Sequence, residues 1–157
     1  MRSATDIGAN IEEVKERIAR ACQRAGRSPD EVTIVAVTKM VEPSAIATAF
    51  KLGIRHFGEN RVQEAVDKIG QLSQLEPRPI WHMVGHLQTN KAKVAVELFD
   101  IIHSIDSVRL AEVLSHRTQK TLPILLEVNI SSEASKSGFS LAEVEPALQE
   151  IAGLPRL

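Results

Sequence analysis

VTIVAVTKM, residues 32–40, sets the fold: six apolar or β-branched residues run without interruption and end on Thr38 and Lys39. A run with no polar alternation is the pattern of a strand covered on both faces, as in a parallel sheet. A lysine at the tip of such a strand is expected to sit deep.

The same unit recurs along the chain. Strand-like segments begin near Val32, Ile54, Ile80, Ile101 and Leu122, with spacings of 22, 26, 21 and 21 residues. Helical patterns lie between them: Ile46, Ala49 and Phe50; Val62, Ala65, Val66, Ile69 and Leu72; Val94 and Leu98; Val108, Ala111 and Leu114. A first helix, marked by Ile7, Ile11, Val14, Ile18 and Ala25 with Gly26 as its stop, comes before any strand, and Cys22 falls on its apolar stripe. Ser140 followed three residues later by Glu143 is a capping-box signature that opens a last helix through Leu141, Val144, Leu148 and Ile151, closed by Gly153. QLEPRP, 74–79, is the only Pro-bearing connector of any length, so one domain is expected over residues 1–157.

Composition excludes several classes of function. With 157 residues, 43% hydrophobic and 25% charged, the chain is long enough for one core. A formal net charge of -1 offers no electrostatic footprint for nucleic acid or for an anionic membrane. The start, MRSATDIGAN, has no apolar leader pattern, no stretch reaches the roughly 18 apolar residues of a span, and a cytoplasmic location is expected. One cysteine excludes an internal disulfide and a cysteine-rich zinc site.

Alternating strands and helices imply a parallel sheet, either open and doubly wound or closed as a (β/α)8 TIM-type barrel. The first strand runs into TKMVEP rather than a G-x-G-x-x-G turn, which disfavours a dinucleotide fold. GHLQTNK, 85–91, has the Gly and Lys spacing of a phosphate loop, but Asn90 stands at its second glycine and Ala92 at its Ser/Thr. A barrel is the better reading, and in a barrel the chemistry sits at the carboxyl ends of the strands. Those tips read TK (38–39), GEN (58–60), GH (85–86), SID (104–106) and EVN (127–129).

Among these residues Lys39 has the chemistry to weigh first. A buried amine loses hydration in its charged form, and a neutral amine condenses with an aldehyde to a Schiff base. The plain alternative is a lysine snorkelling into water. His82 and His86 lie two strand periods apart and suit a metal pair, but no carboxylate is spaced as a third ligand, and core or rim histidines are the simpler reading. Glu59 and Asn60 can bond a ligand at the rim or start a helix. Asp106 reads as a helix N-cap. Lys91, Lys93, Arg117 and Lys136 read as solvated, with Lys136 also placed to attract a phosphate.

VAVTK (35–39), HFGENRVQEA (56–65), WHMVGHLQTNK (81–91), HSIDS (103–107) and LLEVNISSEASKSGF (125–139) together resemble the pyridoxal phosphate homeostasis protein family. The resemblance implies a barrel of the alanine racemase N-terminal type, with about five β/α units present in this chain. It implies that Lys39 holds pyridoxal 5'-phosphate as a Schiff base and that Asn60 lies near the cofactor, with His82 and Asn129 as further cofactor-binding candidates at or near strand ends. Its phosphate contacts and an arginine facing the pyridine nitrogen are expected beyond GLPRL, where a sixth strand is due, so the chain reads as a piece of a longer barrel, monomeric when complete. The expected role is storage and delivery of the cofactor to apo-enzymes without turnover. A racemase-like enzyme is the alternative, weakened because two-base racemisation in that fold uses a tyrosine and this chain has none. A fragment that binds no cofactor is the third reading.

Overall fold

The computed structural model describes residues 4–131, 133 and 136–157. Helix α1 (Ala4–Ala25) leads through a 3-10 turn (Pro29–Glu31) into β1 (Val35–Val37), and the chain then alternates: α2 (Pro43–Lys51), β2 (His56–Glu59), α3 (Val62–Gln71), β3 (Ile80–Met83), a second 3-10 turn (Thr89–Lys91) with α4 (Ala92–Leu98), β4 (Ile101–Ile105), α5 (Val108–Arg117), β5 (Ile124–Leu126) and α6 (Leu141–Ala152). The strands lie in the order β1-β2-β3-β4-β5, every neighbouring pair parallel. Right-handed crossovers between successive neighbours put the connecting helices on a single side of the sheet.

That side holds the core. Phe57, Trp81, Met83, Ile102 and Ile105 from the strands pack with Ile46, Phe50, Ala65, Ala95, Leu110, Ala111 and Leu114 from the helices, each at most 6% exposed. Phe57 and Trp81 are register partners, and their rings meet with centroids 5.6 Å apart. The other side is the concave face that a closed barrel turns inward, and no helix covers it. Val37 of β1 is 51% exposed and Leu125 of β5 is 48% exposed on that account. The apolar run at 32–37 is therefore only half covered here, because β1 is an edge strand with packing on one face.

Caps and stops follow the sequence in most places. Gly26 takes φ +65, the left-handed conformation that ends a helix readily only at glycine. Ser140 donates its backbone N–H to Glu143 Oε2 at 2.9 Å, which fixes the start of α6. The buried stripe of α6 runs through Ala147 and Ile151, however, and Leu141 and Leu148 face outward at 67% and 53% exposure. At α5 the N-cap is Ser107, whose Oγ accepts from Leu110 N–H, and not Asp106. Asp106 pairs instead with His86. Among the described residues no helix is long and apolar enough to cross a membrane.

Candidate functional site

Pairing arranges the concave face in layers. Val35, His56 and Ile80 form one layer, and Val37, Gly58, His82 and Ile101 form the next toward the carboxyl ends. Since side chains alternate along a strand, the tip layer above them falls to Lys39, Asn60, Val84 and His103.

Lys39 is exposed rather than deep. Thr38 N–H still bonds Gly58 O at 2.8 Å, but the chain then turns out of the sheet, with Met40 at φ 59 and Val41 N–H returning to Thr38 O at 3.0 Å. A strand that stops at Val37 delivers the next side chain on its concave side to the open mouth. Among the described residues, the Lys39 amine has no hydrogen-bond or ion-pair partner.

Beneath this tip lies a buried polar knot on the helix side of the sheet. Glu59 is fully buried, and its Oε1 accepts from Thr38 Oγ1 at 2.7 Å and from Lys68 Nζ at 2.9 Å. Lys68, on α3, also donates to Thr38 O at 2.6 Å. The three residues tie the end of β1, β2 and α3 together next to Lys39 in the chain. Glu59 thus serves the scaffold, and its neighbour Asn60 is left for the mouth. Asn60 Oδ1 is buried with no partner among the described residues. Gly85 lets the β3 loop pass against Asn60: a Cβ there would overlap the Asn60 carbonyl oxygen and lie 2.8 Å from its Cα. Gly85→Ala is expected to lower stability by about 1–3 kcal/mol and to displace Asn60, because backbone atoms on both sides must part. An unchanged thermal midpoint would count against this close approach.

Three imidazoles form a chain that rises to the tip layer. His56 Nδ1 lies 2.9 Å from His82 Nε2, and His82 Nδ1 lies 2.8 Å from His103 Nε2. His82, the middle ring, is 3% exposed. Burial, then the neighbouring His103 and His56, push its pKa down to about 4, against a smaller upward pull from Asp100, and burial lowers His103 as well. The unfolded chain therefore takes up protons below about pH 6.5 that the folded chain refuses. The stability associated with His82 is complete above about pH 6.5 and is lost as the pH falls through about 4. A loss on the order of 2 kcal/mol is expected across that window, reduced from the full linkage because the concave face admits water. Urea unfolding at several pH values checks it, and a flat profile from pH 7 to 4 would contradict it.

His86 leaves the sheet, so His82 and His86 do not pair. His86 is in the loop after β3, where its Nδ1 meets Asp106 Oδ2 at 3.0 Å. These two residues line an open cleft of about 660 Å³ with Gln88, Thr89, Ser107 and Gly138. Among the described residues no cluster of three or more His, Cys, Asp or Glu is arranged for a metal ion. Asn129 turns its amide onto its own loop: Nδ2 donates to Glu133 O at 2.9 Å, and Oδ1 accepts from Ser131 Oγ at 3.2 Å. Lys136 is engaged by Glu133 at 2.7 Å.

The alanine racemase N-terminal domain model matches residues 9–157. Across 156 residues, 97% of this chain and 67% of the relative, the sequence is 45% identical to the pyridoxal phosphate homeostasis protein of Escherichia coli. The chain belongs to this family. The pyridoxal phosphate homeostasis protein of Pseudomonas aeruginosa is 38% identical over 154 residues. Among solved structures, PipY of Synechococcus elongatus with pyridoxal phosphate bound superposes at a TM-score of 0.75 with 37% identity, covering 88% of this chain and 65% of PipY. A histidine racemase of Leuconostoc mesenteroides, 14% identical, shares the fold at a TM-score of 0.70 over 98% of this chain and 39% of its own. The chain spans about two thirds of the length of its homeostasis-family relatives. Its five β/α units form part of an alanine-racemase-type barrel.

Proposed function

We propose that this chain holds pyridoxal 5'-phosphate as a Schiff base on Lys39 and acts in cofactor homeostasis, storing the reactive aldehyde and handing it to apo-enzymes. The observation that carries the reading is the Lys39 amine, exposed in the mouth of the concave face and without a polar partner among the described residues. Three features fit the cofactor. The amine is exposed to an aldehyde, Asn60 Oδ1 at the tip of the neighbouring strand is buried and unpartnered among the described residues, and Gly85 lets the β3 loop pass close against the Asn60 backbone. The cofactor supplies an electrophilic carbonyl carbon when bound; the chain supplies the amine and the walls. Asn60 would border the cofactor and His82 would stand in the wall beneath it, while Asn129 holds the loop beyond β5. The names of the relatives and the PipY complex support the ligand. Holding without turnover is favoured over racemisation because the relatives at 45% and 38% identity are named as homeostasis proteins.

The test is an absorbance spectrum of the purified chain with added pyridoxal phosphate, followed by borohydride reduction and peptide mapping. A yellow band with the reduced adduct on Lys39 is the expected result. An adduct mapped to a different lysine overturns the assignment. Activation of an apo-enzyme that survives an aldehyde trap is the expected sign of direct delivery, and activation abolished by the trap argues against it.

A further inference from the structure

The imidazole chain climbs the concave face. His56 belongs to the layer of Val35 and Ile80, His82 to the layer of Gly58 and Ile101, and His103 to the tip layer by alternation from Ile101. Each step crosses one strand and rises one layer. Each also has the same polarity, Nδ1 of the lower ring facing Nε2 of the upper. A neutral imidazole carries one N–H and one bare nitrogen, so three rings in this order have two equivalent arrangements, all Nδ1–H or all Nε2–H. A proton delivered to His103 Nδ1 passes through the row as each ring hands on its Nε2–H, and one proton leaves from His56 Nε2. The number of protons in the row is unchanged.

We propose that His56, His82 and His103 form a proton relay between the floor of the concave face and the layer that contains Lys39. The relay rests on the reading of Lys39 as the cofactor amine: an ammonium must release a proton before it attacks an aldehyde, and a proton must return when water departs. The upper end of the row, on β4, is at the carboxyl end of the sheet, the same end at which Lys39 follows β1. Simple core packing does not account for the arrangement, because apolar residues fill this face as well: Val35, Val37, Ile80, Ile101 and Leu125. The ionisable groups facing the row are few. Lys39 and Glu127 reach this face at the tips of β1 and β5 by alternation, and Asp100, shared by Arg78 and Lys120, acts on His82 from the start of β4. The row moves protons by exchanging tautomers.

His82→Gln tests it, since an amide can hold both hydrogen bonds but cannot pass a proton through itself. The first measurement needs no cofactor: ring-nitrogen NMR of histidine-labelled protein from pH 8 to 4. In the wild type, His56 and His103 are expected to share one tautomer, to titrate together with His82 and to take up one proton between them. In His82→Gln the two outer rings should titrate separately. Three independent single-proton titrations in the wild type would overturn the relay. The second measurement is the rate of adduct formation with pyridoxal phosphate, expected to fall at least tenfold in His82→Gln while the final adduct yield is retained. An unchanged rate alongside uncoupled rings would overturn the link to Lys39. A wild type that forms no adduct would overturn the cofactor reading, and with it the relay's role in attack on the aldehyde, while the NMR result still decides whether the row shares a proton. His56→Gln, at the half-buried lower end, repeats both measurements where His82→Gln fails to fold.

Discussion

Lys39→Ala is expected to abolish the covalent adduct with pyridoxal phosphate and to change stability by less than about 0.5 kcal/mol. Both halves follow from the position of the residue. The side chain is exposed, contributes no described hydrogen bond and stands beyond the last residue of β1, so its removal opens no cavity. Lys68, which reaches the backbone of Thr38, cannot take its place while Glu59 and Thr38 hold it at 2.9 and 2.6 Å. Equal yellow absorbance in Lys39→Ala and wild type, bleached by borohydride with the reduced adduct retained on the variant, would show that the anchor is another lysine.

Lys68→Met should do the reverse, damaging the fold before the chemistry. Removing the ammonium leaves the fully buried Glu59 carboxylate with the Thr38 hydroxyl as its one donor among the described residues. Breaking one side of a buried ion pair costs about 3–5 kcal/mol. That is a large share of the roughly 5–15 kcal/mol that holds a domain together. A fall in thermal midpoint of about 10 °C or more is expected for a chain of this size. Glu59→Gln added to Lys68→Met should recover part of the loss, because a neutral amide in the same place no longer needs a counter-charge. A single-mutant loss below about 1 kcal/mol would mean that water, not Lys68, satisfies the carboxylate. Because the same knot ties Thr38 to β2, the double variant also separates the fold from cofactor capture.

The architecture was legible because each β/α unit repeats its own pattern, and the five strands lie where the apolar runs predict them. Their starts were less legible. β1, β2 and β5 begin at Val35, His56 and Ile124, two or three residues after Val32, Ile54 and Leu122, because pairing with a neighbour decides where a ladder starts and apolar residues also line the approach. The depth of Lys39 was misjudged for a related reason. An unbroken apolar run does not tell a central strand from an edge strand, and the turn at Met40 leaves no mark as clear as a glycine. Glu59 was treated as a rim residue, although its alternation with Phe57 puts it on the helix side and calls for a cation such as Lys68. His56 and His103 were not singled out, since the row emerges only when strands are set in register; the signal available was their shared parity with His82 across three parallel strands.

The loop after β5 does more than border the mouth. Val128 and Phe139 form a parallel bridge: Phe139 N–H bonds Glu127 O at 2.8 Å, and Asn129 N–H bonds Phe139 O at 2.9 Å. The segment that follows β5 thus returns to lie alongside the backbone where that strand would otherwise continue unpaired. Gly138, at φ +111, allows the return, because any Cβ there would press within 2.8 Å of Glu127 O. An open backbone border is a template on which a second molecule adds its own strand, the first step toward ordered aggregates. By returning alongside Glu127 and Asn129, the chain occupies that template itself just past the end of β5. On the opposite border, β1 presents only three residues.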